Sequence, residues 1–170
     1  MRCLFTTFRQ AMSGRGTIYD DFETVRSWLV NRSDGNGRVG VIGFCMGGGF
    51  ALLLATRGGF QAASSNYGGL TKEALAGLAN SCPLVGSYGG RDRSLRREPE
   101  KITAVLREHS IAFDMKVYPE AGHGFINDHL DSEVPRWSLI MGSFVAMGYH
   151  EPSANDARSR IVTFLGEHLS

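Results

Sequence analysis

Val39-Gly40-Val41-Ile42-Gly43-Phe44-Cys45-Met46-Gly47-Gly48-Gly49 is the stretch on which the reading of this chain turns. An apolar run breaks at Gly43, a cysteine stands between glycines in the pattern G-x-C-x-G, and a second apolar run, Phe50-Ala51-Leu52-Leu53-Leu54-Ala55, follows. The order predicts a strand, a sharp turn and a helix. It matches the nucleophile elbow, in which a reactive side chain sits at the tip of a strained strand-to-helix turn. Gly43 and Gly47 are expected there because the backbone crowds against the turn, and a side chain at either position would clash.

Outward from the elbow, strand and helix signals alternate. Upstream, Ile18, Phe22, Val25, Trp28 and Leu29 recur at helical spacing, with Asp20, Asp21 and Glu23 near the favourable helix start. Asn31 to Gly37 is turn chemistry, and residues 38–44 read as a parallel strand buried on both faces. Downstream, a helix over residues 47–57 stops at Gly58-Gly59, a strand covers 61–67, and residues 71–80 form a short helix or turn. The third strand, 82–88, runs into Gly89-Gly90-Arg91-Asp92. Pro99 suits the first turn of a helix whose core face is Ile102, Val105 and Leu106. The fourth strand, 112–118, runs into Pro119-Glu120-Ala121-Gly122-His123-Gly124. A helix is expected around 137–147, and a last one after Ser153, with Asp156 closing a capping box and Ala157, Ile161, Phe164 and Leu165 facing inward. Residues 1–16 read as a helix or an extended arm. This alternation indicates an α/β fold, a mostly parallel sheet flanked by helices, in one domain spanning residues 1–170.

Composition narrows the function classes. At 170 residues, 42% apolar and 21% charged, the chain is long enough to bury one ordinary core. A net charge of +1 without a long basic run gives no general attraction to nucleic acid or an anionic membrane surface. No apolar run approaches the ~20 residues of a membrane span, and the apolar part of the first nine residues is too short for a signal peptide. Cys3, Cys45 and Cys82 lie at wide spacings with no CxxC pair, so neither a disulfide framework nor a zinc site is indicated, and a reducing cytoplasmic setting suits them. The glycines do not spell G-x-G-x-x-G, and neither a phosphate loop nor H-E-x-x-H occurs. The chemistry indicated below calls for no cofactor and no metal.

Three residues are singled out by where they fall: Cys45 after the first expected strand, Asp92 after the third and His123 after the fourth. Loops beyond the carboxyl ends of parallel strands gather at one edge, so these distant residues can converge. A cysteine attacks only as thiolate, and a histidine can take its proton or stabilise its anion near neutral pH. Asp92 would hold the imidazole in the useful tautomer, and the Met46 N–H, at the first turn of the helix, would point at a developing oxyanion. Asp114 and Asp128 are the weaker substitutes for Asp92. Tyr67 and Tyr88, at strand ends, line a pocket or pack beneath it. His109, His129, His150 and His168 fall in helical or irregular stretches and read as surface residues.

Taken together, Gly43-Phe44-Cys45-Met46-Gly47-Gly48, Tyr67-Gly68, Gly90-Arg91-Asp92 and Tyr118-Pro119-Glu120-Ala121-Gly122-His123-Gly124-Phe125 resemble the motifs of the dienelactone hydrolase family. The resemblance covers residues 20–169 and implies an α/β-hydrolase fold, shortened at its N-terminal side. It also implies a Cys45-Asp92-His123 triad that opens lactones or cleaves small esters through a thiol acyl-enzyme. Members carry further strands before the helix expected at Ile18, and an arginine four residues past the histidine where this chain has Asn127. Without those strands, the strand at 38–44 would expose an apolar edge open to a second copy of the chain. A second reading therefore stands beside the enzyme: a catalytically incompetent partial domain that acts by association with another chain.

Overall fold

Four short runs form the sheet of the computed structural model, which describes residues 16–128 and 146–170. They are β1 (Gly40–Phe44), β2 (Ala62–Asn66), β3 (Leu84–Gly89) and β4 (Phe113–Tyr118). All pair in parallel, in the chain order β1-β2-β3-β4, and one row across the sheet reads Ile42, Ser64, Val85, Asp114. Parallel neighbours require a crossover between them, and the helices supply it. Those helices are α1 (Thr17–Val30), α2 (Met46–Ala55), α3 (Lys72–Gly77), α4 (Glu98–Glu108) and α5 (Glu151–Leu169), with a 3₁₀ turn at Leu78–Asn80.

Strand pleating sends alternate side chains to two cores. On one face, Ala63, Leu84 and Tyr88 pack with Tyr19 of α1, Phe50 and Leu52–Ala55 of α2, and Ile102 and Leu106 of α4. On the other, Ala62, Val85 and Tyr118 pack with Ala157, Ile161 and Phe164 of α5. The central strands β2 and β3 are buried at every residue, as parallel strands covered on both faces must be.

β1 departs from the expected burial on both faces, because one face is open: Ile42 is 48% exposed and Phe44 37%, while Val41 and Gly43 on the other face are covered. Its only neighbour among the described residues is β2, and the end of α5 packs at Gly40, where a Cβ would lie 3.0 Å from Leu169. Helix α1 also turns a different stripe inward from the one expected. Tyr19 is its buried residue and Ile18, Phe22 and Val30 pack against the core, while Val25, Trp28 and Leu29 stay exposed. Tyr19 and Phe22 each place their rings 5.6 Å from Phe50.

The remaining ends follow local chemistry. Thr71 caps α3 by accepting from the Ala74 N–H at 3.0 Å. Pro99 sits in the first turn of α4, with Ile102 and Leu106 fully buried. α5 begins at Glu151, two residues before Ser153, and no capping box closes it. Asp156 bonds instead to Lys116 and Tyr118 of β4, at 2.8 and 2.7 Å. The arm expected over residues 1–16, apart from Gly16, and most of the helix expected around 137–147 lie outside the described residues. No described helix is long and apolar enough to cross a membrane.

Candidate active site

The turn after β1 is shaped by backbone touching backbone. A Cβ on Gly43 would lie 1.9 Å from the Gly47 carbonyl oxygen, and one on Gly48 would lie 2.7 Å from the Cα of Gly68, so only glycine fits at both. Gly47 is the exception to expectation. Nothing lies within 4 Å of its would-be Cβ, because it contributes the carbonyl against which Gly43 packs and turns its own hydrogens to open space. Between them Cys45 adopts φ 54°, ψ −120°, a conformation that non-glycine residues rarely occupy and that persists only where neighbours enforce it. Its N–H donates to the Asn66 carbonyl at 3.0 Å, which ties the tip of the turn to the end of β2.

Asp92 and His123 arrive from the loops after β3 and β4, and those loops are joined to each other. Gly90 donates to the Tyr118 carbonyl at 2.7 Å and Arg91 to that of Ala121 at 3.0 Å. Two further bonds, from Gly148 to His123 and from His150 to Phe125, hold the histidine loop from its other side. His123 Nδ1 lies 2.8 Å from Asp92 Oδ2 and its Nε2 lies 3.1 Å from Cys45 Sγ. Asp92 is fully buried, while Cys45 is exposed. The three residues that the sequence placed at separate strand ends thus form one hydrogen-bonded line.

The electrostatics of that line agree with its geometry. The hydrogen bond with His123 draws the Cys45 thiol below its ordinary value, helped by the imidazolium charge and the Met46 N–H, against burial and the charge of Asp92. Burial pushes His123 down, but its bonds to Asp92 and Cys45 more than offset this and raise it to about 9. Burial likewise raises Asp92, and the bonds from His123 and Ser94 outweigh it, so the carboxyl lies below its ordinary value. All three directions favour a thiolate–imidazolium pair backed by a carboxylate.

Tyr67, 1% exposed and held at φ 41°, sets the edge of its ring against the imidazole with 5.1 Å between centroids, and its hydroxyl donates to Asn127 at 3.2 Å. Tyr88 has no place at the surface. It is 1% exposed and its hydroxyl donates to the Gly68 carbonyl at 3.2 Å, so it packs beneath the turn instead of lining a pocket. Asp114 is taken up by Arg160 at 2.7 Å, and Asp128 is exposed. His109 is exposed, His150 bonds Ser153 at 2.8 Å, and His168 stacks on Phe164, while His129 lies outside the described residues. Two contributors escaped the sequence reading. Ser94 donates twice to Asp92, a local pattern that serine two residues after aspartate announces, and Phe125 backs Tyr67 at 5.7 Å between rings. Among the described residues no group of three or more His, Cys, Asp or Glu is arranged to hold a metal ion.

Residues 2–169 match the dienelactone hydrolase family. The chain belongs to that family. It is 28% identical over 162 residues to a provisionally named carboxymethylenebutenolidase of Salmonella typhimurium, covering 89% of this chain and 54% of that protein. It is also 28% identical over 106 residues to a carboxymethylenebutenolidase of Pseudomonas putida, covering 62% of this chain and 45% of the other. Among solved structures, a provisionally named dienelactone hydrolase from Klebsiella pneumoniae superposes with a TM-score of 0.70 at 27% identity, covering 86% of this chain and 59% of that one. This dienelactone hydrolase family member therefore has the α/β-hydrolase fold and spans about half the length of the curated relatives it matches.

Proposed function

We propose that Cys45, His123 and Asp92 form the catalytic triad of a carboxylic ester or lactone hydrolase that works through a thiol acyl-enzyme. The observation that carries this reading is the line from Asp92 Oδ2 to His123 Nδ1 at 2.8 Å and from His123 Nε2 to Cys45 Sγ at 3.1 Å. It rises from an exposed cysteine to a fully buried carboxylate.

In the first half-reaction the Cys45 thiolate attacks the carbonyl carbon and the carbonyl oxygen takes the negative charge. The Met46 N–H, at the first turn of α2 beside Cys45, serves as an oxyanion donor. Collapse breaks the ester carbon–oxygen bond, the leaving alcohol takes the proton from His123 Nε2, and a thioester remains on Cys45. In the second, His123 accepts a proton from water as the water oxygen attacks the thioester. The carboxylic acid departs, Cys45 leaves as thiolate and the imidazolium is restored. Asp92 holds the imidazole with Nε2 toward sulfur throughout and stabilises its charge. Tyr67 backs the imidazole. Because the nucleophile must be a free thiol, a reducing compartment such as the cytoplasm suits the reaction. Lactones and small esters are the substrates to try first, a choice that the carboxymethylenebutenolidase names of its relatives support.

Purified protein is expected to hydrolyse p-nitrophenyl acetate, with Cys45→Ala reducing the rate to the uncatalysed background. Retention of enzymatic turnover in that variant would refute the assignment.

A further inference from the structure

The Asp92 carboxylate is gripped at both oxygens, and only one grip belongs to the triad. Oδ2 lies 2.8 Å from His123 Nδ1, whereas Oδ1 accepts from the Ser94 N–H at 2.9 Å and from the Ser94 hydroxyl at 2.6 Å. A carboxylate turns about a broad, two-fold torsion. A bond to His123 alone would therefore leave its plane free to swing, and the imidazole with it. We infer that Ser94 is a positioning residue: its hydroxyl and N–H lock the Asp92 carboxylate in the rotation that keeps Oδ2 on His123.

The placement of Ser94 suits this role. Asp92 is fully buried, so few partners reach it, while Ser94 sits just after it on the exposed part of the loop. Its N–H and hydroxyl close a local turn around a single acceptor oxygen. Charge-assisted bonds of this length are shorter and stronger than neutral ones. The hydroxyl supplies the only one of the two bonds that a side-chain substitution removes, and its exposure means that removal opens no cavity.

The inference rests on the triad reading, and the test separates the two. Single-turnover acylation and steady-state hydrolysis of p-nitrophenyl acetate are measured for Ser94→Ala, Ser94→Thr, Asp92→Asn and Asp92→Asn/Ser94→Ala, with Cys45→Ala as reference. Ser94→Ala is expected to lower kcat about tenfold, the size of one charge-assisted bond, with KM unchanged. Ser94→Thr, which keeps the hydroxyl, restores kcat to within about twofold. In the Asp92→Asn background, where the amide oxygen still accepts from Ser94 but without charge assistance, the Ser94→Ala cost shrinks to about threefold or less. An unchanged kcat in Ser94→Ala, a failed threonine rescue, or an equal cost in both backgrounds overturns the inference and leaves the triad reading standing. Turnover by Cys45→Ala overturns both.

Discussion

The two outer strands of the described sheet lead to Cys45 and to His123, and they are secured in different ways. β4 leads to His123 and is bolted to α5 by side chains. Arg160 donates to the Asp114 carboxylate at 2.8 Å, to the Asp114 carbonyl at 2.9 Å and to the Tyr118 hydroxyl at 3.0 Å. Asp156 accepts from Lys116 and from Tyr118. β1 leads to Cys45 and carries no charged residue. Its end is set by the contact of Gly43 with the Gly47 carbonyl and by the bond from Cys45 to Asn66. β4 also has the charges that blunt a free edge, and β1 has none. His123 is thus placed by a distributed polar network, whereas Cys45 is placed by backbone geometry with no tolerance for a single carbon at Gly43.

Substitutions at the two edges should therefore fail differently. The largest effect is expected from Gly43→Ala. The added carbon meets a backbone oxygen at 1.9 Å, so the turn itself must move, and hydrolysis should fall by more than about a hundredfold because misplacement of a reacting atom by 1 Å costs that much. Assay beside circular dichroism checks this; near-normal turnover would show that the turn is softer than its geometry. Arg160→Met comes next. It removes bonds to a charged group and should cost about 2 kcal/mol, seen as a fall in Tm of about 5 °C, while kcat changes less than about threefold because Asp92 and Ser94 still hold His123. A large loss of kcat at unchanged Tm would put Arg160 in the catalytic line. Gly47→Ala is the smallest: with open space around the new carbon and a helical position, it should leave hydrolysis intact and raise stability by up to about 1 kcal/mol.

The contrast also explains what the sequence could disclose. Glycine-flanked Cys45, Gly90-Arg91-Asp92 and the histidine loop are local patterns, and parallel strands bring their ends together, so the line of three was legible before any coordinates. Which glycine was indispensable was not. G-x-C-x-G directs attention to Gly47, while the close approach at Gly48 depends on Gly68, twenty residues on. The inward face of α1 was hidden for a different reason. Ile18 and Phe22 fit two apolar stripes equally well, one continuing through Val25 and Leu29 and the other through Tyr19, and periodicity does not say which meets Phe50. The β4 clamp joins residues 46 apart through Arg160 and Asp114, and no local pattern connects them.

The hold of His123 on Cys45 as a thiolate is read from the rate of Cys45 alkylation by iodoacetamide as a function of pH. A thiolate–imidazolium pair holds as many protons as a thiol–imidazole pair, so stability reports poorly on it, whereas alkylation reads the thiolate itself. With Cys45 drawn down by its bond to His123 and His123 raised to about 9, the rate is expected to rise with a midpoint below the ~8.5 of an ordinary thiol. The midpoint should move upward in His123→Ala. A midpoint at or above ~8.5 in the unsubstituted protein, or one that His123→Ala leaves in place, would contradict the account.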